Sequence, residues 1–391
     1  MKTVKNFRLS GKKVIIRCDF NVPIEDGKIV DDNRIVESLQ TIKYCIEKGA
    51  KVILLSHLGR VKEKEDLKKN DLKVVAKRLS KLLDHEVKFI NKTRGNSVEK
   101  EIASLNNGDV VLLQNTRYED LDGKKESSND EELGKYWASL GDIFINDAFG
   151  TCHRAHASNV GIASNIKNKG IGFLIEKELN ALSSLKRPNK PFIIILGGAK
   201  VSDKIGVIEK LVKKADYILI GGGMAFTFLE SEGFNIGSSI LDKDNIDFCK
   251  KIISEYEDKI ILPVDILTNT SYMDTKSPKE RSICDIGEDE MGLDVGPKTV
   301  DLFKKYLSDA KTVLWNGPLG VCEFNSFKNG TYEVLNYLVD NDIKTIVGGG
   351  DTAAVATQAN LKEKLYHVST GGGATLEYLE GKKLPGIEVM E

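Results

Sequence analysis

What this 391-residue chain lacks narrows its function before any motif is read. No apolar run approaches the ~20 residues that a membrane-spanning helix needs. The opening segment, MKTVKNFRLSGKKVIIRCDF, has neither an apolar h-region nor a signal cleavage pattern, and the expectation is a cytoplasmic protein. Cysteine is scarce and scattered. Cys18, Cys45, Cys152, Cys249, Cys284 and Cys322 form no C-x-x-C pair and no zinc spacing, which suits free thiols in a reducing compartment. Strong net charge is missing as well, with 57 Lys+Arg against 58 Asp+Glu. Without a basic domain, basic tail or binding motif, neither nucleic acid nor membrane is expected as a partner. Two common nucleotide signatures are also absent. There is no G-x-x-x-x-G-K-[ST], and no glycine triplet completes G-x-G-x-x-G. Gly221-x-Gly223 is followed by Phe226, and Gly371-x-Gly373 by Leu376, where a third glycine would be required.

What is present has an α/β pattern. At this length two domains are the natural expectation, and 41% apolar with 29% charged residues is a globular composition. The stretch Ile346–Leu376 holds two successive strand, glycine-turn and helix units. Ile343–Val347 ends in Gly348-Gly349-Gly350, after which Asp351-Thr352 opens an alanine-rich helix. Tyr366–Val368 leads through Ser369-Thr370 to Gly371-Gly372-Gly373 and a helix over Ala374–Leu379. Glycine at such a turn lets a ligand approach the backbone, and the following helix N-terminus favours phosphate. Asp351, a carboxylate at that turn, suits a magnesium ion that travels with the phosphates. Gly221-Gly222-Gly223 after Tyr217–Ile220, before a helix over Met224–Glu232, and Gly197-Gly198 after Phe192–Leu196 repeat the pattern. Repetition at several strand ends points to a nucleotide crevice in an open parallel sheet.

The first part alternates strands and helices. Strands are expected at Lys13–Arg17, Val52–Ser56, Glu86–Phe89, Val110–Leu113 and Ile143–Asn146. Helices are expected over Arg34–Lys48, Leu72–Leu83, Ser97–Ala103 and Asp130–Leu140, with Val61–Asp71 an exposed loop. This order implies a parallel sheet covered on both faces. Polar residues follow the strands: Cys18-Asp19-Phe20-Asn21, then Ser56-His57-Leu58-Gly59-Arg60, Asn115-Thr116-Arg117, and Asn146-Asp147 leading to His153-Arg154-Ala155-His156. Strand carboxyl ends share one crevice, so His57, Arg60, Arg117, Arg154 and Arg34 converge there. Eight of the ten arginines lie in residues 1–170, which carry 31 Lys+Arg against 25 Asp+Glu. Arginine suits bidentate recognition of carboxylate and phosphate. Gathered and unpaired, these residues call for a multiply charged small anion.

A helix over Leu174–Leu185, ended by the prolines at 188 and 191, reads as a connector into a second domain of alternating strands and helices running to 376. There Lys200 and Lys204 stand four apart, on one face of an expected helix start, and suit adjacent phosphates. Trp315, following Val313-Leu314, reads as core.

With these residues assembled, the chain resembles the phosphoglycerate kinase family end to end. The resemblance rests on RCDFNVP (17–23), DDNRI (31–35), SHLGR (56–60), NDAFGTCHRAHAS (146–158), GGAKVSDKI (197–205), GGGMAFTFL (221–229), WNGPLGVCEF (315–324), GGGDT (348–352) and STGGGATLEYLEGKKLPG (369–386). It implies two Rossmann-like parallel-sheet domains facing a central cleft: 1–172 for phosphoglycerate, a helix over 173–187, and 188–379 for nucleotide, with the tail 380–391 packing back on the first. It implies Mg²⁺-dependent, reversible transfer of the acyl phosphate of 1,3-bisphosphoglycerate to ADP, giving 3-phosphoglycerate and ATP in glycolysis, by a monomer that closes about a hinge. By the same resemblance Asp19, Phe20, Asn21, Arg34, His57, Leu58, Gly59, Arg60, Arg117 and Arg154 hold the phosphoglycerate. Gly198, Ala199, Lys200, Lys204, Gly221, Gly222, Gly296, Asn316, Glu323, Gly349, Gly350, Asp351 and Thr352 hold nucleotide, Asp351 with the metal. Arg34, Lys200 and Gly371, Gly372 and Gly373 stabilise the phosphoryl group in transit.

The chain departs from the family pattern at Cys18, Val61, Gln114 and Cys322, where valine, proline, glutamate and phenylalanine are common. Each departure adjoins a site residue and none replaces one. A nicotinamide-dependent dehydrogenase would share the two α/β halves but needs a complete glycine fingerprint. A non-catalytic anion or nucleotide sensor should have lost Arg34, Lys200 or Asp351, and all three remain.

Overall fold

The computed structural model describes residues 1–273 and 278–391. The chain divides into two compact units, Met1–Asn180 with Lys383–Glu391, and Ala181–Lys382.

The first unit is built on six strands in the order Val87–Ile90, Val110–Leu113, Lys51–Leu55, Lys13–Arg17, Ile143–Asn146, Lys169–Ile171. All of these pairings are parallel. The inner strands are near-continuous apolar runs because helices cover both faces. Helices Asn33–Glu47 and Lys73–Leu83 pack onto one core with Ile16, Leu54, Val75 and Leu79. From Lys13–Arg17 the chain adds three strands on one side, Val110–Leu113 entering between Lys51–Leu55 and the edge strand Val87–Ile90, then returns to add Ile143–Asn146 on the other side. That reversal makes Lys13–Arg17 and Ile143–Asn146 the topological switch point, where open α/β sheets gather ligands. The C-terminal residues belong to this unit. The Asn146 amide donates to the Gly386 carbonyl at 3.0 Å, Gly386 N–H donates to the Cys152 carbonyl at 2.9 Å, and Leu384 and Met390 are buried.

Val61–Asp71 is not a plain exposed loop. It holds a helix, Lys64–Lys69, whose first turn is closed by Asp66 accepting from the Lys62 and Glu63 N–H groups at 2.9 and 3.2 Å. No residue of that helix is buried, so its sequence carries no apolar periodicity. Val61 itself is buried.

The second unit repeats the parallel plan in the order Ile260–Ile261, Tyr217–Ile220, Phe192–Leu196, Thr312–Asn316, Lys344–Gly348, His367–Val368. Here the switch point lies between Phe192–Leu196 and Thr312–Asn316, each followed by glycine. Trp315 is core: it is wholly buried, and its indole N–H donates to the Gly317 carbonyl at 2.8 Å. A small antiparallel sheet, Lys279–Ser282, Asp265–Asn269 and Met291–Val295, interrupts the expected alternation. Its outer strand, KERS, is polar and mostly exposed, so nothing in its pattern announces a strand.

Candidate functional site

In the first unit the loops after the strands are fastened to one another by short polar side chains. Phe20 N–H donates to Ser56 Oγ at 2.8 Å, and Gly59 N–H donates to Asn21 Oδ1 at 2.8 Å. Asn115, fully buried, accepts from Leu58 N–H at 3.2 Å and Arg117 N–H at 3.0 Å, while its amide donates to the Leu58 and Asn70 carbonyls. Gly59 sits at φ +59°, and a Cβ there would stand 2.2 Å from Asn70 Oδ1, so only glycine fits. These contacts leave Phe20 and Leu58 buried as supports for the loop.

On this frame the cations gather. Asp19 accepts from Arg34 Nη1 at 2.9 Å and from Asn21 N–H at 3.2 Å, and its Oδ1 lies 4.0 Å from His57 Nδ1. Arg117 donates to the Gly59 carbonyl at 2.8 Å, while its buried Nε has no partner among the described residues. Arg154 is exposed, with Nε 3.1 Å from His153 Nε2. Burial first, then the fields of Arg17, Arg117 and Arg34, hold His57 well below the ordinary imidazole range. Burial and the charges of Arg17 and Arg154 likewise lower Arg117. His156 is pushed down to about 3 by burial and the same arginines. His57, Arg34, Arg117 and Arg154 are thus one electrostatic cluster, which a small polyanion would relieve. Arg60 is exposed at the loop rim, where its backbone carbonyl accepts from Asn70.

Two members of the cluster were not read from the sequence. Arg17 ends an apolar strand yet is wholly buried, donating to Ser158 Oγ at 2.7 Å and to the Cys18 carbonyl, with Nη2 3.3 Å from His57 Nδ1. Glu126, also wholly buried, lies 3.9 Å from Arg17 Nη2 and accepts from Ser158 N–H at 2.9 Å. Its segment, KKESSND, is polar and aperiodic, so no local signal marks it.

In the second unit a cavity of about 350 Å³ opens beside the switch point. Gly198, Ala199, Gly222, Glu323 and Asp351 line it, together with Phe226, Ile240, Leu293, Leu319 and Val321. The apolar group was not singled out in the sequence, because scattered aliphatic residues look like core. The loop glycines serve the backbone as much as the cavity. A Cβ on Gly222 would meet Gly198 N at 2.6 Å, and one on Gly317 would meet the Gly197 carbonyl oxygen at 2.2 Å. A Cβ on Gly221 would likewise meet Leu319 Cδ2 at 2.5 Å, and one on Gly296 would meet Asp265 Cγ at 2.3 Å. Asp265 accepts from Lys298 and Thr299 N–H groups at 2.9 and 2.7 Å, capping the helix Pro297–Leu307 that Gly296 precedes.

Gly349 precedes the helix Gly350–Gln358, which carries Asp351 exposed in its first turn. Thr352 Oγ1 accepts from Gly317 N–H at 2.8 Å, tying this turn to the previous one. Asn316, beside Gly348 and Gly349, is wholly buried, and neither its amide nitrogen nor its oxygen has a partner among the described residues. An orphaned buried amide is costly, and a ligand oxygen at the glycine turn would satisfy it. Lys200 and Lys204 are not on a helix face: the helix begins at Ile205, and 201–204 form a turn. Lys204 is half-buried and lowered by that burial, with Asp203 and Asp351 opposing, whereas Lys200 is exposed. Gly371–Gly373 lead into the helix Gly373–Leu379, and Gly371 N–H is held by Ser369 Oγ at 3.1 Å. Among the described residues no three His, Cys, Asp or Glu side chains form a metal cage. The Asp351 carboxylate at the cavity still fits magnesium, which is bound by one or two carboxylates plus substrate phosphates.

A cationic cluster in one parallel-sheet unit and a glycine-lined cavity in the other fit an α/β phosphotransferase. The family model for phosphoglycerate kinase matches residues 4–382. A phosphoglycerate kinase of Lacticaseibacillus casei is 58% identical over 386 residues, covering 98% of this chain and 97% of that protein. One of Fusobacterium nucleatum is 54% identical over 393 residues, covering 100% and 99%. The solved phosphoglycerate kinase structure from Coxiella burnetii superposes with a TM-score of 0.86 at 38% identity, covering 100% of this chain and 98% of that one. The chain therefore belongs to the phosphoglycerate kinase family, kinases whose acceptor is a carboxyl group. Among the described residues no helix is long and apolar enough to cross a membrane.

Proposed function

We propose that this chain catalyses the Mg²⁺-dependent, reversible transfer of the acyl phosphate of 1,3-bisphosphoglycerate to ADP, giving 3-phosphoglycerate and ATP. It does so in cytoplasmic glycolysis and as a monomer. The observation that carries the reading is the arginine cluster around His57, whose buried positive charge has too few acids to balance it. Asp19 and Glu126 are the carboxylates engaged by Arg34 and Arg17. A phosphate and a carboxylate on a three-carbon chain match such a set. Asp19, Asn21, Arg34, His57, Arg60, Arg117 and Arg154 hold that ligand. Gly198, Lys204, Gly222, Asn316, Glu323 and Gly349 to Thr352 hold the nucleotide.

The chemistry asks for little more than position and charge. An oxygen of the ADP β-phosphate attacks the acyl phosphorus, and the bond to the carboxyl oxygen breaks, leaving a carboxylate. The transition state is loose, with charge on three equatorial oxygens. Arg34, Lys200 and the N–H groups of Gly372 and Gly373 neutralise that charge, while Gly371, its N–H held by Ser369 Oγ, shapes the turn. Asp351 would hold a magnesium ion, which would supply further charge neutralisation on the nucleotide phosphates. His57, kept neutral, binds and does not take a proton; no general base is needed for this displacement.

The ligands are assigned to separate units, and reaction needs the atoms ~3–3.5 Å apart. We therefore infer hinge closure in the ternary complex, which also excludes water. X-ray scattering should show compaction when both ligands are present, and an unchanged radius of gyration would contradict closure. The reaction itself is tested by a coupled assay with 3-phosphoglycerate, ATP and Mg²⁺. Turnover abolished by a chelator is expected. Folded protein that binds ATP without turnover would favour a nucleotide sensor.

A further inference from the structure

The His57 ring has two nitrogens, and the surrounding groups decide which one carries the proton. A guanidinium has only donors. Arg17 Nη2, 3.3 Å from His57 Nδ1, therefore requires a lone pair on Nδ1. Arg17 has no freedom to turn away, because Nε is spent on Ser158 Oγ at 2.7 Å and Nη1 on the Cys18 carbonyl. Asp19 is the group that would favour the opposite tautomer. Its Oδ1 is 4.0 Å from Nδ1, beyond hydrogen-bond reach, and the carboxylate is occupied by Arg34 and Asn21. The other charged or titratable groups facing the ring, Arg117, Arg34 and His156, all oppose a second proton. Glu126 behind Arg17 balances the buried guanidinium, and its partner Ser158 completes the link.

We propose that Arg17, anchored by Ser158 and balanced by Glu126, is a positioning residue that fixes His57 as a neutral ring with its proton on Nε2, presented to the bound anion as a directional hydrogen-bond donor. Lysine cannot replace arginine in this role. An ammonium is a point charge, without the fork that spans Ser158, Cys18 and His57 together.

The tautomer part stands on geometry alone, whereas the ligand part rests on the reading of this cluster as the phosphoglycerate site. Long-range ¹H–¹⁵N spectra of the ligand-free protein at pH 7 should show His57 neutral, with the proton on Nε2. A wild-type ring protonated at Nδ1, or doubly protonated, overturns the inference whatever the variants do. In Arg17→Lys the ring should become a tautomer mixture. The KM for 3-phosphoglycerate should rise about 10-fold or more, the scale of one lost hydrogen bond to a charged group, with the nucleotide KM nearly unchanged. Ser158→Ala, which loosens Arg17 without altering charge, should shift the spectrum and that KM in the same direction by less. If both variants leave spectrum and KM unchanged, the positioning role is overturned. A tautomer change with no change in the 3-phosphoglycerate KM overturns the assignment of the cluster to phosphoglycerate and leaves the tautomer standing.

Discussion

Lys200 is exposed and outside any helix, with Asp242 the acid that feels its charge. A residue so placed contributes little to folding, which makes its removal a clean test of charge stabilisation in the reaction. Lys200→Ala should lower turnover by roughly 10²-fold or more while nucleotide binding persists, as measured by steady-state kinetics beside a binding isotherm. Gln114 is the opposite case. Its amide nitrogen donates to Asp71 Oδ1 at 3.1 Å and Asn91 Oδ1 at 2.9 Å, and its oxygen accepts from Leu72 and Asn115 N–H. The amide satisfies two acceptors that a carboxylate would repel. Gln114→Glu should destabilise the first unit by about 1–3 kcal/mol in urea unfolding near neutral pH. At this scale the sequence was informative wherever a residue followed a strand. Asp19, His57, Arg117 and Asp351 were marked by position alone. Arg17 and Glu126 were not. One reads as the last residue of an apolar strand, and the other sits in a solvated-looking run, so only the fold reveals that they meet.

Among the elements, helix starts capped by distant aspartates recur. Asp147 Oδ1 accepts from the Leu174 and Ile175 N–H groups at 3.0 and 3.2 Å, at the start of the helix Phe173–Ser183. Asp294 accepts from Gly330 N–H at 3.0 Å at the start of Asn329–Asp340. Burial raises both carboxyls from 3.8 to about 7, against the N–H groups that lower them. A carboxyl raised in the folded state keeps its proton there while the unfolded chain has already lost it. Its stabilising contribution is full below about pH 4 and is lost as pH rises through about 7. Asp147→Asn removes that loss. Relative to the wild type, the variant should gain roughly 2 kcal/mol between pH 5 and pH 8, read from paired denaturant titrations. A constant difference across that range would show that Asp147 does not titrate there. The strand and helix order was legible because buried parallel strands are continuous apolar runs between helical periods. The helix Lys64–Lys69 and the strand Lys279–Ser282 were not, since neither buries a face.

At the scale of the molecule, two parallel-sheet units each bring polar residues to their own switch point. In the first these are arginines, and in the second glycine backbone, an orphaned amide and the carboxylates of Glu323 and Asp351. The division of labour between them is the central claim, and calorimetric titration of the binary complexes tests it most directly. Arg117→Met should weaken 3-phosphoglycerate binding about 10-fold or more and leave Mg·ADP affinity unchanged, while Asp351→Asn should do the reverse. Loss of both ligands in either variant, or full 3-phosphoglycerate affinity in Arg117→Met, would contradict the account.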